Sequence, residues 1–283
     1  FTSLKIAEAM AKESDNETFS ILYLVPSIQL LTQTLRAWNN DTDLSISSMA
    51  VTSDRNASRQ SLDEEEKNLF VKAQDIGFPA TTSTSQVLKN YEEIQKAEPT
   101  NLMVVFSTYQ SIDVLGQAQN EGFPEFDLII ADEAHRTTGA RLEDQDDSAF
   151  TKVHSNDNIK GKLRLYQTAT PKVYGQEAKN TANEQSVVVA SMDDESIYGT
   201  QIFRLGFGDA IGRGILTDYK LMVLAVNESG IRKELQQTMQ GDNGLNLDDV
   251  GRIIGVWNGM IKRNSDSDTY WGAPMKRAIA FTR

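Results

Sequence analysis

Asp132 and Glu133, with His135 two positions further on, close an apolar run, Leu128 to Ala131, that reads as a buried parallel strand. Gly122 and Pro124 set the turn ahead of it. In open α/β sheets, ligands bind at the carboxyl ends of the strands. Neighbouring side chains at such an end point in different directions, so one carboxylate can hold magnesium through water while the other faces an attacking water. That division of labour suits phosphoryl transfer, where catalysis is mostly positioning and charge neutralisation. The plainer use of the same pair is an acidic first turn of a helix. Against it stands Thr168-Ala169-Thr170, at the end of the next strand. A lone histidine is more often structural than catalytic, and no second histidine or cysteine stands at zinc-ligand spacing. His135 is therefore expected to hydrogen-bond the hydroxyl of Thr168 or Thr170, a link able to couple a nucleotide site to a domain interface. His154, in a polar helix, is expected at the surface.

Two further segments, Pro26-Ser27 with Gln29-Leu30 and Ser107-Thr108-Tyr109-Gln110, lie where strands turn into helices. Backbone N–H groups and hydroxyls at such places hold anions. Taken singly, each is an ordinary N-cap; two of them on the same sheet edge as Asp132 point to the phosphate backbone of a nucleic acid. A phosphate-cradling G-x-x-x-x-G-K-[ST] loop is absent from the sequence. The one Gly-Lys pair, Gly161-Lys162, runs into Leu163 and a strand, and the glycines from Gly206 to Gly214 read as turns and close packing.

Alternating strands and helices must position these residues. An amphipathic helix carrying Leu4, Ile6, Ala7 and Met10 precedes the strand Ser20 to Val25, and Pro26-Ser27 opens a helix whose apolar face is Ile28, Leu31, Leu35 and Trp38. A looser strand spans Leu44 to Val51. Residues 54 to 79 are polar and acidic and read as a surface insertion. Thr81 to Ser85 is a hydroxyl-rich cap for a helix Gln86 to Lys96. Then come the strand Leu102 to Phe106, a helix opened by Ser107 to Ser111, the Asp-Glu strand, an acidic loop from Thr137 to Ser148, and a strand Leu163 to Gln167. Such alternation predicts an α/β fold, a mostly parallel sheet with helices on both faces. Past residues 190 to 205 the pattern changes to a helix Asp209 to Leu216, a strand Tyr219 to Val226, a helix Leu247 to Ile261 and a last strand Ala278 to Phe281. A domain boundary is expected near residue 200.

The net charge of −12 argues against a generally basic protein that coats nucleic acid, though not against a locally suitable groove. The clusters Asp63-Glu64-Glu65-Glu66 and Glu143-Asp144-Gln145-Asp146-Asp147 read as solvated. No apolar run reaches membrane-spanning length, so no membrane partner is expected, and the start lacks the pattern of a signal peptide. Absence of cysteine excludes a disulfide framework and is compatible with a reducing, cytoplasmic setting. A start inside a helix at Phe1 and an end at Arg283 read as an excised piece of a larger protein.

In order, Leu24-Val25-Pro26-Ser27 with Leu30, Phe106 to Gln110, Asp132-Glu133-Ala134-His135 and Thr168-Ala169-Thr170-Pro171 resemble motifs Ia, Ib, II and III of superfamily 2 helicases and translocases of the DEAH type. Ser191 to Glu195 with Tyr198-Gly199, Gly214 to Lys220, and Ala278 to Arg283 resemble the motor of single-chain, type I-like (ISP) restriction-modification enzymes. The resemblance implies a RecA-like lobe over residues 1–200 and, over 201–283, a linker and the start of a second such lobe. It implies ATP and magnesium as cofactors, Asp132 holding magnesium through water, and Glu133 as catalytic base. His135 with Thr168 and Thr170 would couple hydrolysis to movement, and Pro26, Ser27, Thr108, Tyr109 and Gln110 would grip one strand of double-stranded DNA. Nuclease and methyltransferase domains would flank the motor. In that family a Gly-Lys-Thr loop stands just before the helix that opens here at Phe1, and arginine-bearing segments follow in the second lobe. Without them, these residues alone are expected not to hydrolyse ATP. The alternatives are a RecA-like nucleic-acid-binding module that hydrolyses nothing, and a magnesium-dependent hydrolase or nuclease that uses Asp132 and Glu133 without ATP.

Overall fold

Five segments line up in parallel: β1 (Phe19–Val25), β2 (Ile46–Val51), β3 (Leu102–Thr108), β4 (Phe126–Ala131) and β6 (Gly161–Tyr166), in the spatial order β2-β3-β1-β4-β6. The structure is a computed structural model and describes residues 1–52, 81–142, 148–175, 187–219, 247–263, 269–270 and 272–277. Every residue of β1, β3 and β4 is buried, which is why these strands read as continuous apolar runs rather than alternating ones.

Successive strand side chains point to opposite faces, and both faces are covered. On one, Ile21, Tyr23 and Val25 pack with Leu4 of α1 (Thr2–Glu13) and Leu31, Leu35 and Trp38 of α2 (Ile28–Asp41). On the other, Leu22 and Leu24 pack with Val87 and Ile94 of α3 (Thr84–Lys96) and Ile112 and Leu115 of α4 (Ile112–Asn120). This is the α/β architecture that the alternation predicts. The strand register levels the carboxyl ends. Leu24 stands opposite both Ser107 and Ala131, and Ala131 opposite Tyr166. Pro26, Tyr109, Asp132 and Gln167 therefore leave the sheet along one edge.

The opposite edge is pinned by Asp127. Its carboxylate accepts from Ser20 N at 2.8 Å, Ser20 Oγ at 2.9 Å, Asn16 Nδ2 at 2.9 Å and Lys162 Nζ at 2.7 Å. Burial alone would raise the carboxyl pKa, but the bonds from Lys162 and Ser20 outweigh it and hold the pKa below the ordinary value. The stabilisation is therefore complete above the unfolded-state value of about 3.9 and is lost as pH falls through the folded-state value. Asp127→Asn should lower stability at neutral pH by about 2 kcal/mol and flatten the acid limb of the urea-denaturation midpoint against pH. An unchanged limb would show that Asp127 carries no such linkage. Gly161-Lys162 lies at this edge too. A Cβ on Gly161 would sit 2.5 Å from Ile129 Cδ1, so the glycine serves close packing, and Lys162 serves Asp127.

One segment departs from expectation. The supposed loop from Thr137 to Ser148 contains β5 (Gly139–Leu142), paired antiparallel with β7 (Val187–Ala190). Four residues carry no readable period, and the partner lies too far along the chain for local pattern to reveal it. A short helix, α5 (Glu195–Tyr198), follows β7.

The chain divides into two compact units, Phe1–Ile202 and Phe203–Arg283. In the second, α6 (Phe207–Gly212) is shorter than the expected helix and ends ahead of Gly214, whose φ of 70° breaks it. Helix α7 (Leu247–Ile261) matches its expected span, and Met275 N donates to Met260 O at 2.8 Å just before its end. The insertion 54–79, both acidic clusters, the strand expected beyond Tyr219 and the last strand Ala278–Phe281 lie outside the described residues. Among the described residues, no helix is long and apolar enough to cross a membrane.

Candidate functional site

Asp132 follows directly on β4, and its backbone N–H still donates to Leu24 O, at 2.9 Å, so the carboxylate is delivered by the sheet itself. Glu133 then adopts a left-handed conformation, φ 50° and ψ 43°, which costs a residue with a Cβ on the order of 1 kcal/mol. This kink lets Glu133 N donate to Asp132 Oδ1 at 2.9 Å, lets Ala134 N reach Gln167 O at 3.0 Å, and starts the 3-10 turn Ala134–Thr137. The Asp132 carboxylate thus meets Glu133 N and the Tyr23 hydroxyl, and the Glu133 carboxylate meets His135 Nδ1.

His135 is the meeting point of three oxygens. Its Nδ1 lies 2.9 Å from Thr168 Oγ1, 3.3 Å from Thr170 Oγ1 and 3.3 Å from Glu133 Oε2. Thr170 N in turn donates to Thr168 Oγ1 at 3.1 Å. Both hydroxyls anticipated from the sequence therefore reach the histidine, and the carboxylate neighbour is an addition.

Of the segments read as anion sites, Pro26 and Ser27 are half-buried, and Ser27 caps α2, its Oγ accepting from Leu30 N at 3.4 Å. Gln110 is exposed. Thr108 and Tyr109 are turned inward: Thr108 Oγ1 pairs with Ser111 Oγ at 2.9 Å, and Tyr109 is wholly buried against Phe150. Side-chain contact of Tyr109 with DNA does not fit this placement. Its hydroxyl instead donates to Asp132 O at 2.7 Å.

Sequence reasoning also passed over two polar groups beside Asp132. Tyr23, in the middle of β1, places its hydroxyl 3.3 Å from Asp132 Oδ2, and Gln167 Nε2 donates to that hydroxyl at 2.7 Å. The available signal was a polar-tipped aromatic inside an otherwise apolar strand, since a buried tyrosine hydroxyl needs a partner. Burial first, and the Asp132 charge second, push the phenol pKa of both Tyr23 and Tyr109 up, so each stays a donor.

His154 is not the surface residue expected. Its Nε2 lies 3.1 Å from Thr137 O, which can only accept, so Nε2 carries the proton and Nδ1 accepts from Tyr166 O–H at 2.9 Å. The ring packs tilted against Tyr166 and edge-on against Tyr198. Thr137 Oγ1 donates to Ala134 O at 2.8 Å and is bonded to Tyr198 OH at 2.9 Å. This cluster backs the turn that carries His135.

A family described as type III restriction enzyme, res subunit, matches residues 1–173. Among solved structures, the ATP-dependent Type ISP restriction-modification enzyme LlaBIII bound to DNA is similar, with a TM-score of 0.79 and 56% identity over 100% of this chain and 18% of that one. A nuclease-deletion mutant of the Type ISP restriction-modification enzyme LlaGI, in complex with a DNA substrate mimic, has a TM-score of 0.58 and 42% identity over 92% of this chain and 23% of that one. Among curated proteins, a probable helicase of African swine fever virus is 28% identical over 210 residues, 72% of this chain and 19% of that protein. The chain spans about a fifth of the length of these relatives.

Proposed function

Because this chain belongs to the family described as type III restriction enzyme, res subunit, we propose that it is part of a DEAH-type motor coupling ATP hydrolysis to movement on double-stranded DNA. The carrying observation is that the levelled strand ends bring Asp132, Glu133, the His135–Thr168–Thr170 contacts, Ser27 and Gln110 onto one edge. Asp132 suits a magnesium ion held through water. Each carboxylate oxygen has one donor from the protein and lone pairs left for water. When bound, magnesium would neutralise charge on the transferred phosphoryl group.

In this reading Glu133 orients the attacking water and takes its proton. His135, against Thr168 and Thr170, ties that carboxylate to the end of β6, so a change at one is felt at the other. Pro26, Ser27, Thr108 and Gln110 border the DNA track, through backbone groups where the side chains are turned in. In the same reading residues 1–200 form the first motor lobe, and 201–283 a linker and the start of a second. Nuclease and methyltransferase domains flank this motor in a restriction-modification enzyme, and the reading puts the protein in the cytoplasm.

The placement of half-buried Ser27 and exposed Gln110 on that edge also suits a second reading, a nucleic-acid-binding module without hydrolysis. Phosphate release with and without duplex DNA separates the two. The 283 residues alone should stay at background. A full-length polypeptide joining them to a phosphate-binding loop should show DNA-stimulated release and displace a triplex-forming strand from its track. DNA binding by the full-length polypeptide without any nucleotide turnover would establish the second reading and end the first.

A further inference from the structure

We infer that Tyr23 and Tyr109 are a pair of positioning residues that hold Asp132 from opposite faces of the sheet. The inference rests on Asp132 being the magnesium carboxylate. Tyr23 belongs to the core under α1 and α2, Tyr109 to the core under α3 and α4, and both are buried. Their hydroxyls converge on one residue, Tyr109 on its carbonyl oxygen at 2.7 Å and Tyr23 on carboxylate Oδ2 at 3.3 Å.

The proton directions follow from the partners. A carbonyl only accepts, so Tyr109 donates. The Gln167 amide nitrogen only donates, so the Tyr23 oxygen accepts from it and the Tyr23 proton goes to the Asp132 carboxylate. The chain Gln167 to Tyr23 to Asp132 thus runs in one direction, and each bond polarises the next. Glu133 N holds the other oxygen, Oδ1, at 2.9 Å. Both oxygens and the carbonyl of one residue are therefore fixed by groups from β1, from the end of β3 and from the turn after β4. A carboxylate that acts through water has no direct metal bond to orient it, so its rotamer must be set by the protein. Tyr23 is itself wedged edge-on against Trp38, with ring centroids 5.2 Å apart, which fixes where its hydroxyl can go.

The test compares Tyr23→Phe, Tyr109→Phe and Asp132→Ala in the full-length polypeptide with a phosphate-binding loop. Manganese binding in the presence of a non-hydrolysable ATP analogue is read by electron paramagnetic resonance, alongside the magnesium dependence of ATP hydrolysis and the melting temperature. Each phenylalanine variant should raise the metal concentration at half-saturation by about tenfold, the low end of the range for losing a group that orients a metal-holding carboxylate. A purely structural role would lower the melting temperature and leave metal affinity unchanged. That outcome, with Asp132→Ala still weakening manganese binding, overturns the inference alone. Unchanged manganese binding in Asp132→Ala overturns the magnesium assignment and the inference with it.

Discussion

Glu133→Gln should reduce DNA-stimulated ATP hydrolysis by about three orders of magnitude, within the roughly 10²–10⁴-fold range for removing a general base. The substitution isolates basicity. Glutamine has nearly the same shape, meets the same left-handed backbone at φ 50°, and can still bond His135 Nδ1, which lies 3.3 Å from the Glu133 carboxylate. Binding of nucleotide and of DNA should stay within about threefold, since neither draws on proton affinity. Phosphate release under single turnover, set beside fluorescence titrations of nucleotide and duplex, checks both parts in the full-length polypeptide. A variant that retains more than about a tenth of the rate would remove Glu133 from the role of base and reopen the choice between the two carboxylates.

Trp38→Ala should cost about 3–5 kcal/mol, a large share of the roughly 5–15 kcal/mol that separates folded from unfolded domains. Trp38 is 1% exposed and is the largest side chain of the core under α2. It meets Tyr23 at 5.2 Å and 75° and Phe106 at 5.8 Å and 89°, edge-to-face arrangements that add to the area buried. Transfer and cavity losses both apply to so large a buried side chain. Urea denaturation followed by far-ultraviolet circular dichroism gives the value. A loss below about 1 kcal/mol would mean that α2 can collapse onto the sheet without its anchor.

How much of the protein is legible without coordinates depends on the range of the signal. The central strands β1, β3 and β4 could be read because parallel strands buried on both faces form long apolar runs, as Leu22-Tyr23-Leu24-Val25 and Leu128-Ile129-Ile130-Ala131 do. The helix faces followed from their 3.6-residue period, with Leu31, Leu35 and Trp38 on the buried side of α2. The short β5 and β7 could not be read, because each is defined by the other and not by its own residues.

The sequence by itself determined the α/β order, the carboxylate pair with its histidine, and the two hydroxyls of Thr168 and Thr170 as that histidine's candidates. These are local facts of residue type, spacing and period. Only the tertiary structure decided what stands beside Asp132. Register between strands brought Gln167 across to Tyr23 and Tyr109 under Asp132, over separations of 144 and 23 residues. It also turned Tyr109 inward and drew His154 behind the turn that carries His135. A hydroxyl at the end of a long aromatic side chain can equally face a partner strand or solvent, and that choice is made by packing on the two faces of the sheet, which no single stretch of the chain contains.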